Sequence, residues 1–130
     1  MNDATHARWL AYIHRIADAI LLKDWTFTLE RTGPESTTAE AQIFLCYGMR
    51  RGDLSVPPKF FAQTPEEQRH LIVHELVHAH FEDLDEHVRL YTNEQEGSGY
   101  FQQAYKRERE VAVDTLAMAL AQFLPLPEAV

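Results

Sequence analysis

The chain has 130 residues, of which 45% are hydrophobic and 25% charged, and its formal net charge is −8. This composition is typical of a folded globular protein and excludes intrinsic disorder, so we expect residues 1–130 to form one domain. A surface this acidic repels nucleic-acid phosphates and anionic lipids. We therefore expect no nucleic-acid partner and no membrane partner.

The first half of the chain predicts one helix followed by a small sheet. Apolar residues recur at helical spacing over residues 4–22. Alternation over residues 24–30 predicts a half-buried strand, and the Gly-Pro-containing segment 31–38 predicts a loop. Residues 39–47 resemble a second strand, residues 48–53 have hairpin-loop chemistry, and residues 53–56 form a short return strand that Pro57 ends.

The second half predicts two helices with an acidic connection between them. Thr64, Pro65 and Glu67 form a strong helix start with a capping box, and this helix should run to about Glu82. Residues 83–98 are polar and acidic, with a loop over residues 93–99, and a last helix covers residues 99–123. This order predicts an α+β fold with an N-terminal helix, a small, mainly antiparallel sheet and two further helices.

No targeting segment is predicted. Residues 1–24 lack the basic start and uninterrupted apolar core of a signal peptide, and no apolar run is long enough to cross a bilayer. Cys46 is the only cysteine, which excludes an intrachain disulfide. Together these features predict a cytoplasmic protein.

The second predicted helix carries the sequence His-Glu-Leu-Val-His at residues 74–78. His74 and His78 are one helical turn apart and can direct their imidazoles at one metal ion. Glu75 is rotated by about 100° from His74, so it cannot be a third ligand, but it can reach a water molecule beside the metal as a general base. His70 borders the same face, where a surface histidine is the favoured interpretation.

Catalytic zinc sites usually take three protein ligands, so the motif needs one more. An extended motif with a third histidine is excluded, because residues 81 and 84 are Phe81 and Leu84. Another common source is a glutamate on a second helix. Glu110 and Asp114 lie one turn apart among aliphatic residues of the last helix, and Glu108 is the nearest rival.

The His-Glu-x-x-His motif at residues 74–78 and the segment Glu110–Ala117 together resemble the gluzincins. These are zinc metallopeptidases with His-Glu-x-x-His on one helix and Glu-x-x-x-Asp on the next. The size and layout of the chain resemble the compact minigluzincin and ImmA/IrrE-type domains of bacteria and phages. Leu116 and Ala117 match the signature of that helix, whereas Val113 replaces its alanine. The resemblance implies a zincin-like fold, Zn²⁺ held by His74, His78 and Glu110, and Asp114 as the carboxylate that orients a ligand histidine.

The expected function is zinc-dependent hydrolysis of peptide bonds in a protein or peptide substrate, with Glu75 as general base. Gluzincins often use a tyrosine or histidine to stabilise the oxyanion, and Tyr91, Tyr100 and Tyr105 are candidates in or after the acidic connection, although packing is the favoured interpretation of these aromatic residues. Two alternatives stay open. One is a non-catalytic, metal-stabilised protein-interaction module, and the other is a metal-free binding protein in which the motif is accidental.

Overall fold

The structure is a computed structural model that describes residues 1–34, 40–93 and 99–128. It is an α+β fold, as the sequence predicts, and the described residues form four α-helices and one three-stranded mixed sheet. The elements are α1 (Asp3–Ala19), β1 (Thr26–Leu29), β2 (Gln42–Cys46), β3 (Arg51–Ser55), α2 (Pro65–His80), α3 (Glu82–Asn93) and α4 (Gly99–Ala121), with a 3₁₀ turn at Pro58–Ala62 before α2.

The sheet has the order β1-β3-β2, with β3 in the centre. β2 pairs with β3 antiparallel across a tight turn, in which Gly48 has a φ of 78° and Arg50 a φ of 48°. β1 pairs with β3 in parallel, so the predicted mainly antiparallel sheet is wrong for one of its two pairs. The alternation in β1 determines which face is buried but carries no information about the partner strand. β1 and β2, although consecutive, therefore lie at opposite edges.

Several predicted boundaries need correction. β3 begins at Arg51, inside the predicted hairpin loop, and α1 ends at Ala19, followed by Leu21 with a φ of 68°. The predicted acidic connection contains the helix α3, in which Leu84, Val88 and Tyr91 recur at helical spacing among the acidic residues. Most of the loop predicted at residues 93–99 and part of that at residues 31–38 lie outside the described residues.

The core lies between the sheet and helices α1, α2 and α4. Its fully buried residues come from all of these elements and include Ile13, Ile16, Phe27, Leu54, Ile72, Val73, Leu76, Val77, Val113 and Ala117. Complete burial of one large aliphatic or aromatic side chain contributes about 1.5–3 kcal/mol, so these contacts hold α2 and α4 in one relative orientation. Among the described residues, no helix is long and apolar enough to cross a membrane.

Candidate metal centre

Helix α2 presents the His-Glu-x-x-His residues from a well-fixed backbone. Its capping box is present: the Thr64 hydroxyl accepts from the Glu67 backbone N–H at 3.2 Å, and the Glu67 carboxylate accepts from the Thr64 N–H at 2.8 Å. Val73 and Val77 are buried in the core, which sets the rotation of the helix about its axis. His74 and His78 are then left facing α4, with side chains 18% and 14% exposed.

Helix α4 runs beside α2 and brings its acidic residues to the same place. Val113 and Ala117 are fully buried and anchor this helix in the core. Glu110 and Asp114 lie on the same side of the helix, at i−3 and i+1 from Val113, and about half of each side chain is exposed. The helix–helix contact therefore joins residues 32 or more positions apart in the sequence.

The imidazoles of His74 and His78 converge on the Glu110 carboxylate. His74 Nε2 lies 3.5 Å from Glu110 Oε2, and His78 Nε2 lies 3.3 Å from Glu110 Oε1. Both distances exceed the usual 2.7–3.2 Å of an N–H···O hydrogen bond. A tetrahedral zinc site with bonds of about 2.0–2.1 Å separates its ligands by roughly 3.3 Å. The three side chains offer ligand atoms within 4.8 Å of one another, so they form a group that could hold a metal ion.

A second group of possible metal ligands shares His74. Asp114 Oδ1 accepts from His70 Nε2 at 3.0 Å and from His74 Nδ1 at 3.2 Å, and all three side chains offer atoms within 4.8 Å of one another. These contacts have ordinary hydrogen-bond lengths, unlike those to Glu110. The hydrogen bond at Nδ1 fixes the His74 ring and directs its Nε2 towards Glu110. Asp114 therefore has the geometry of the orienting carboxylate expected from the sequence.

Burial changes the acid–base properties of this group. Burial, reinforced by the negative charge of Glu110, raises the pKa of Glu75 to about 7, and only 8% of this residue is exposed. Burial also lowers the pKa of His78, although the Glu110 charge opposes the effect. Burial would raise the pKa of Asp114, but hydrogen bonds from His70 and His74 outweigh it and lower that pKa. Neutral His78 and ionised Asp114 are the forms that metal binding requires.

The candidate metal centre opens into a cleft of about 1030 Å³. One wall is formed by α2 and α4, and the other by residues 41–45, which include most of β2. Because β2 is an edge strand, its outer backbone groups have no strand partner among the described residues. Among the described residues that line the cleft, Arg109 is the sole lysine or arginine. Eight carboxyl groups of described residues line it: Glu30, Glu40, Asp53, Glu75, Glu82, Asp85, Glu110 and Asp114.

The other residues singled out by the sequence lie elsewhere. The Glu108 side chain is 75% exposed and does not line the cleft. None of the three tyrosines lines the cleft. Tyr91 and Tyr100 are exposed, and the Tyr105 hydroxyl donates to Asp85 at 2.6 Å.

Two further residues line the cleft: His70, for which the sequence favours a surface position, and Arg109, for which the sequence predicts no role. His70 lines the cleft and shares the Asp114 carboxylate with His74, so it is not a simple surface histidine. Its position one turn before His74 was the available signal. Arg109 lines the cleft and contacts Glu110 at 3.2 Å, a contact that no local pattern distinguishes from an ordinary surface ion pair.

No protein-family model matches the chain, and neither a curated protein nor a solved structure matches it. The resemblance to gluzincins therefore depends on the motif residues and their arrangement.

Proposed function

We propose that the protein is a zinc-dependent metallopeptidase of gluzincin type with a zincin-like fold. The observation that carries this proposal is the convergence of His74, His78 and Glu110 beside the buried Glu75 carboxyl, at the floor of an open cleft. A purely structural metal site has no need of a general base or of a cleft. The combination therefore favours catalysis over a metal-stabilised interaction module.

Each residue has a defined task in this proposal. His74, His78 and Glu110 hold the metal, and Asp114 keeps the His74 ring in the required tautomer and orientation through Nδ1. When bound there, zinc would supply Lewis acidity towards the scissile carbonyl and the attacking water. Glu75 accepts the proton of the attacking water and returns it to the leaving amide nitrogen. In the metal-free protein burial and Glu110 raise the pKa of Glu75 to about 7, and a cation bound beside it would lower that pKa towards the ionised form that a general base needs.

The edge strand β2 favours an extended protein or peptide segment as substrate. A segment that pairs with the outer edge of β2 would satisfy backbone donors and acceptors and would lie across the metal centre. Phe44 on this strand is 68% exposed and lines the cleft, so it offers an apolar contact to a substrate side chain.

The substitution Glu75→Gln tests the proposal, with Glu66→Gln as the matched control. Both changes remove one carboxylate from α2, but Glu66 is exposed in the first turn and lies outside the cleft. We expect Glu75→Gln to retain zinc and lower the cleavage rate by roughly 10²–10⁴-fold, because a positioned general base contributes that much. Glu66→Gln should cleave as the wild type does.

The assay should use several unfolded proteins as substrates and measure zinc by elemental analysis. Cleavage that persists undiminished in Glu75→Gln would contradict the assigned role. Zinc bound tightly by a wild-type protein that cleaves none of the substrates would favour the non-catalytic module. If purified protein that was never exposed to a chelator carries no transition metal, both the metallopeptidase and the metal-stabilised module are excluded.

A further inference from the structure

A chain of polar contacts links Glu110 to helix α3. Arg109 Nη2 lies 3.2 Å from Glu110 Oε1, the same oxygen that faces His78. Arg109 Nη1 lies 3.2 Å from Asp85 Oδ2 of α3, and the other oxygen of Asp85 accepts from the Tyr105 hydroxyl at 2.6 Å. The guanidinium thus bridges a candidate metal ligand and an aspartate that is itself held in place.

This bridge differs from an ordinary surface ion pair. The side chains of Arg109 and Asp85 are only 20% and 22% exposed, whereas that of Arg107, two residues earlier on α4, is 70% exposed. Among the described residues, Arg109 is also the sole lysine or arginine that lines the cleft. Because a guanidinium presents its donors in a fixed planar fork, it can hold two carboxylates at once in a defined relative position.

We propose that Arg109, anchored by Asp85, is a positioning residue that holds the Glu110 carboxylate towards His74 and His78. Half of the Glu110 side chain is exposed, so it would otherwise populate several rotamers, and ordering it would oppose metal binding. This inference depends on the metal site of the proposed function but not on its peptidase activity. It makes α3 part of the metal centre although α3 contributes no ligand.

The effect on zinc affinity has a diagnostic sign. Removal of a positive charge from a cation site should, by Coulomb's law alone, strengthen zinc binding. Loss of a positioning contact should weaken it, and loss of such outer partners typically weakens metal affinity by about 10–100-fold. The sign of the change in Arg109→Met therefore separates positioning from simple electrostatics.

The experiment measures the zinc dissociation constant of the full chain by competition with a chromophoric chelator. Arg109→Met and Asp85→Asn should each weaken binding by about 10–100-fold. Arg107→Met removes the same charge from an exposed position on the same helix and should leave affinity unchanged. Arg109→Lys keeps the charge but not the planar fork, so it should be intermediate, and it serves as the test if Arg109→Met does not fold.

A second comparison excludes a general loss of structure. In a Glu110→Gln background, in which zinc binding is already weak, the change Arg109→Met should not weaken zinc binding further, because no carboxylate ligand is left to position. Unchanged or tighter binding by Arg109→Met, or an equal weakening in both backgrounds, would overturn the proposal. His74→Ala reports separately on the metal site, and Glu75→Gln on peptidase activity, so a failure of the proposed function is recognised independently.

Discussion

Glu75 is a buried carboxyl that is held near its neutral form in the metal-free protein. With its pKa raised from about 4.5 to about 7 by burial and by Glu110, the folded state binds a proton more strongly than the unfolded state does. The corresponding stabilisation is present below pH 4.5 and is lost as the pH rises to 7. The ionised form of Glu75, which a general base needs, is therefore the form that destabilises the fold.

We predict that, with chelator present, Glu75→Gln raises the free energy of unfolding at pH 8 but not at pH 4.5. The expected difference is roughly 2–3 kcal/mol, since one pKa unit corresponds to about 1.4 kcal/mol. Urea unfolding at the two pH values measures it, with Glu66→Gln as the control for the loss of an exposed carboxylate. Parallel pH profiles for wild type and Glu75→Gln would contradict the pKa assigned to Glu75.

Separate substitutions of Glu108 and Glu110, which are two residues apart on α4, test whether Glu110 is the third metal ligand. Glu110 faces His74 and His78, whereas Glu108 is largely exposed. Glu110→Ala should abolish tight zinc binding, and Glu108→Ala should bind as the wild type does, because a lost ligand cannot be replaced from the exposed face. Calorimetric titration with zinc measures both. Equal affinities of the two variants would exclude Glu110 as the third ligand.

Removal of the Asp114 carboxylate should have a milder effect than removal of a ligand. Asp114→Ala frees the His74 ring at Nδ1 without removing a metal ligand, and we expect affinity to fall by about 10–100-fold. Competition with the same chelator gives the value. Asp114→Ala that bound no zinc at all would indicate direct ligation by the second group, His70, His74 and Asp114.

At the scale of the elements, the position of β2 depends on close packing around β3. Gly52 lies in this central strand opposite Phe27 and Leu45, and a Cβ there would come within 2.9 Å of the Phe27 ring. Phe27 is itself buried in the core and cannot move away freely. Because residue 52 has no side chain, the Phe27 ring of β1 can lie directly over the backbone of β3.

We predict that Gly52→Ala destabilises the fold by about 1–3 kcal/mol, as overpacked core positions do. Gly99→Ala at the start of α4 is the matched control, because a Cβ there would meet no atom within 4 Å. Thermal unfolding of both variants measures the effect. A Gly52→Ala variant as stable as the wild type would mean that Phe27 repacks without loss.

At the scale of the whole molecule, negative charge is concentrated in the cleft. Glu75 is held near its neutral form, but the other seven described cleft-lining carboxyl groups face one arginine, Arg109, which is already paired with Asp85 and Glu110. Glu82 lies in this field, and burial together with the nearby acidic side chains raises its pKa. A field of this sign attracts cationic segments and repels anionic ones.

If the protein is a peptidase as proposed, the kcat/KM for peptides with lysine flanking the scissile bond should be roughly tenfold higher than that for matched peptides with glutamate. Salt should reduce the difference, since the Debye length is about 8 Å at 0.15 M ionic strength. Glu82→Gln should also reduce it more than Asp83→Asn, which removes an exposed charge outside the cleft. Equal cleavage of the two peptides at low salt would refute the electrostatic preference.

The sequence by itself determined the features that depend on neighbours along one helix. The start of α2 follows from Thr64, Pro65 and Glu67, and the facing of His74 and His78 follows from their separation of four residues. These relations are local, because helical geometry fixes the relative directions of residues three and four apart. The α+β class followed from the same periodicities, read element by element.

Only the tertiary structure decided which distant groups meet. The parallel pairing of β1 with β3, the sharing of Asp114 by His70 and His74, and the bridge from Arg109 to Asp85 all join segments whose local patterns allow several partners. Burial of the core selects among these pairings, because packing acts between surfaces and not along the chain. For the same reason the sequence could nominate Glu110, but the contact between α2 and α4 brings its carboxylate to the two histidines.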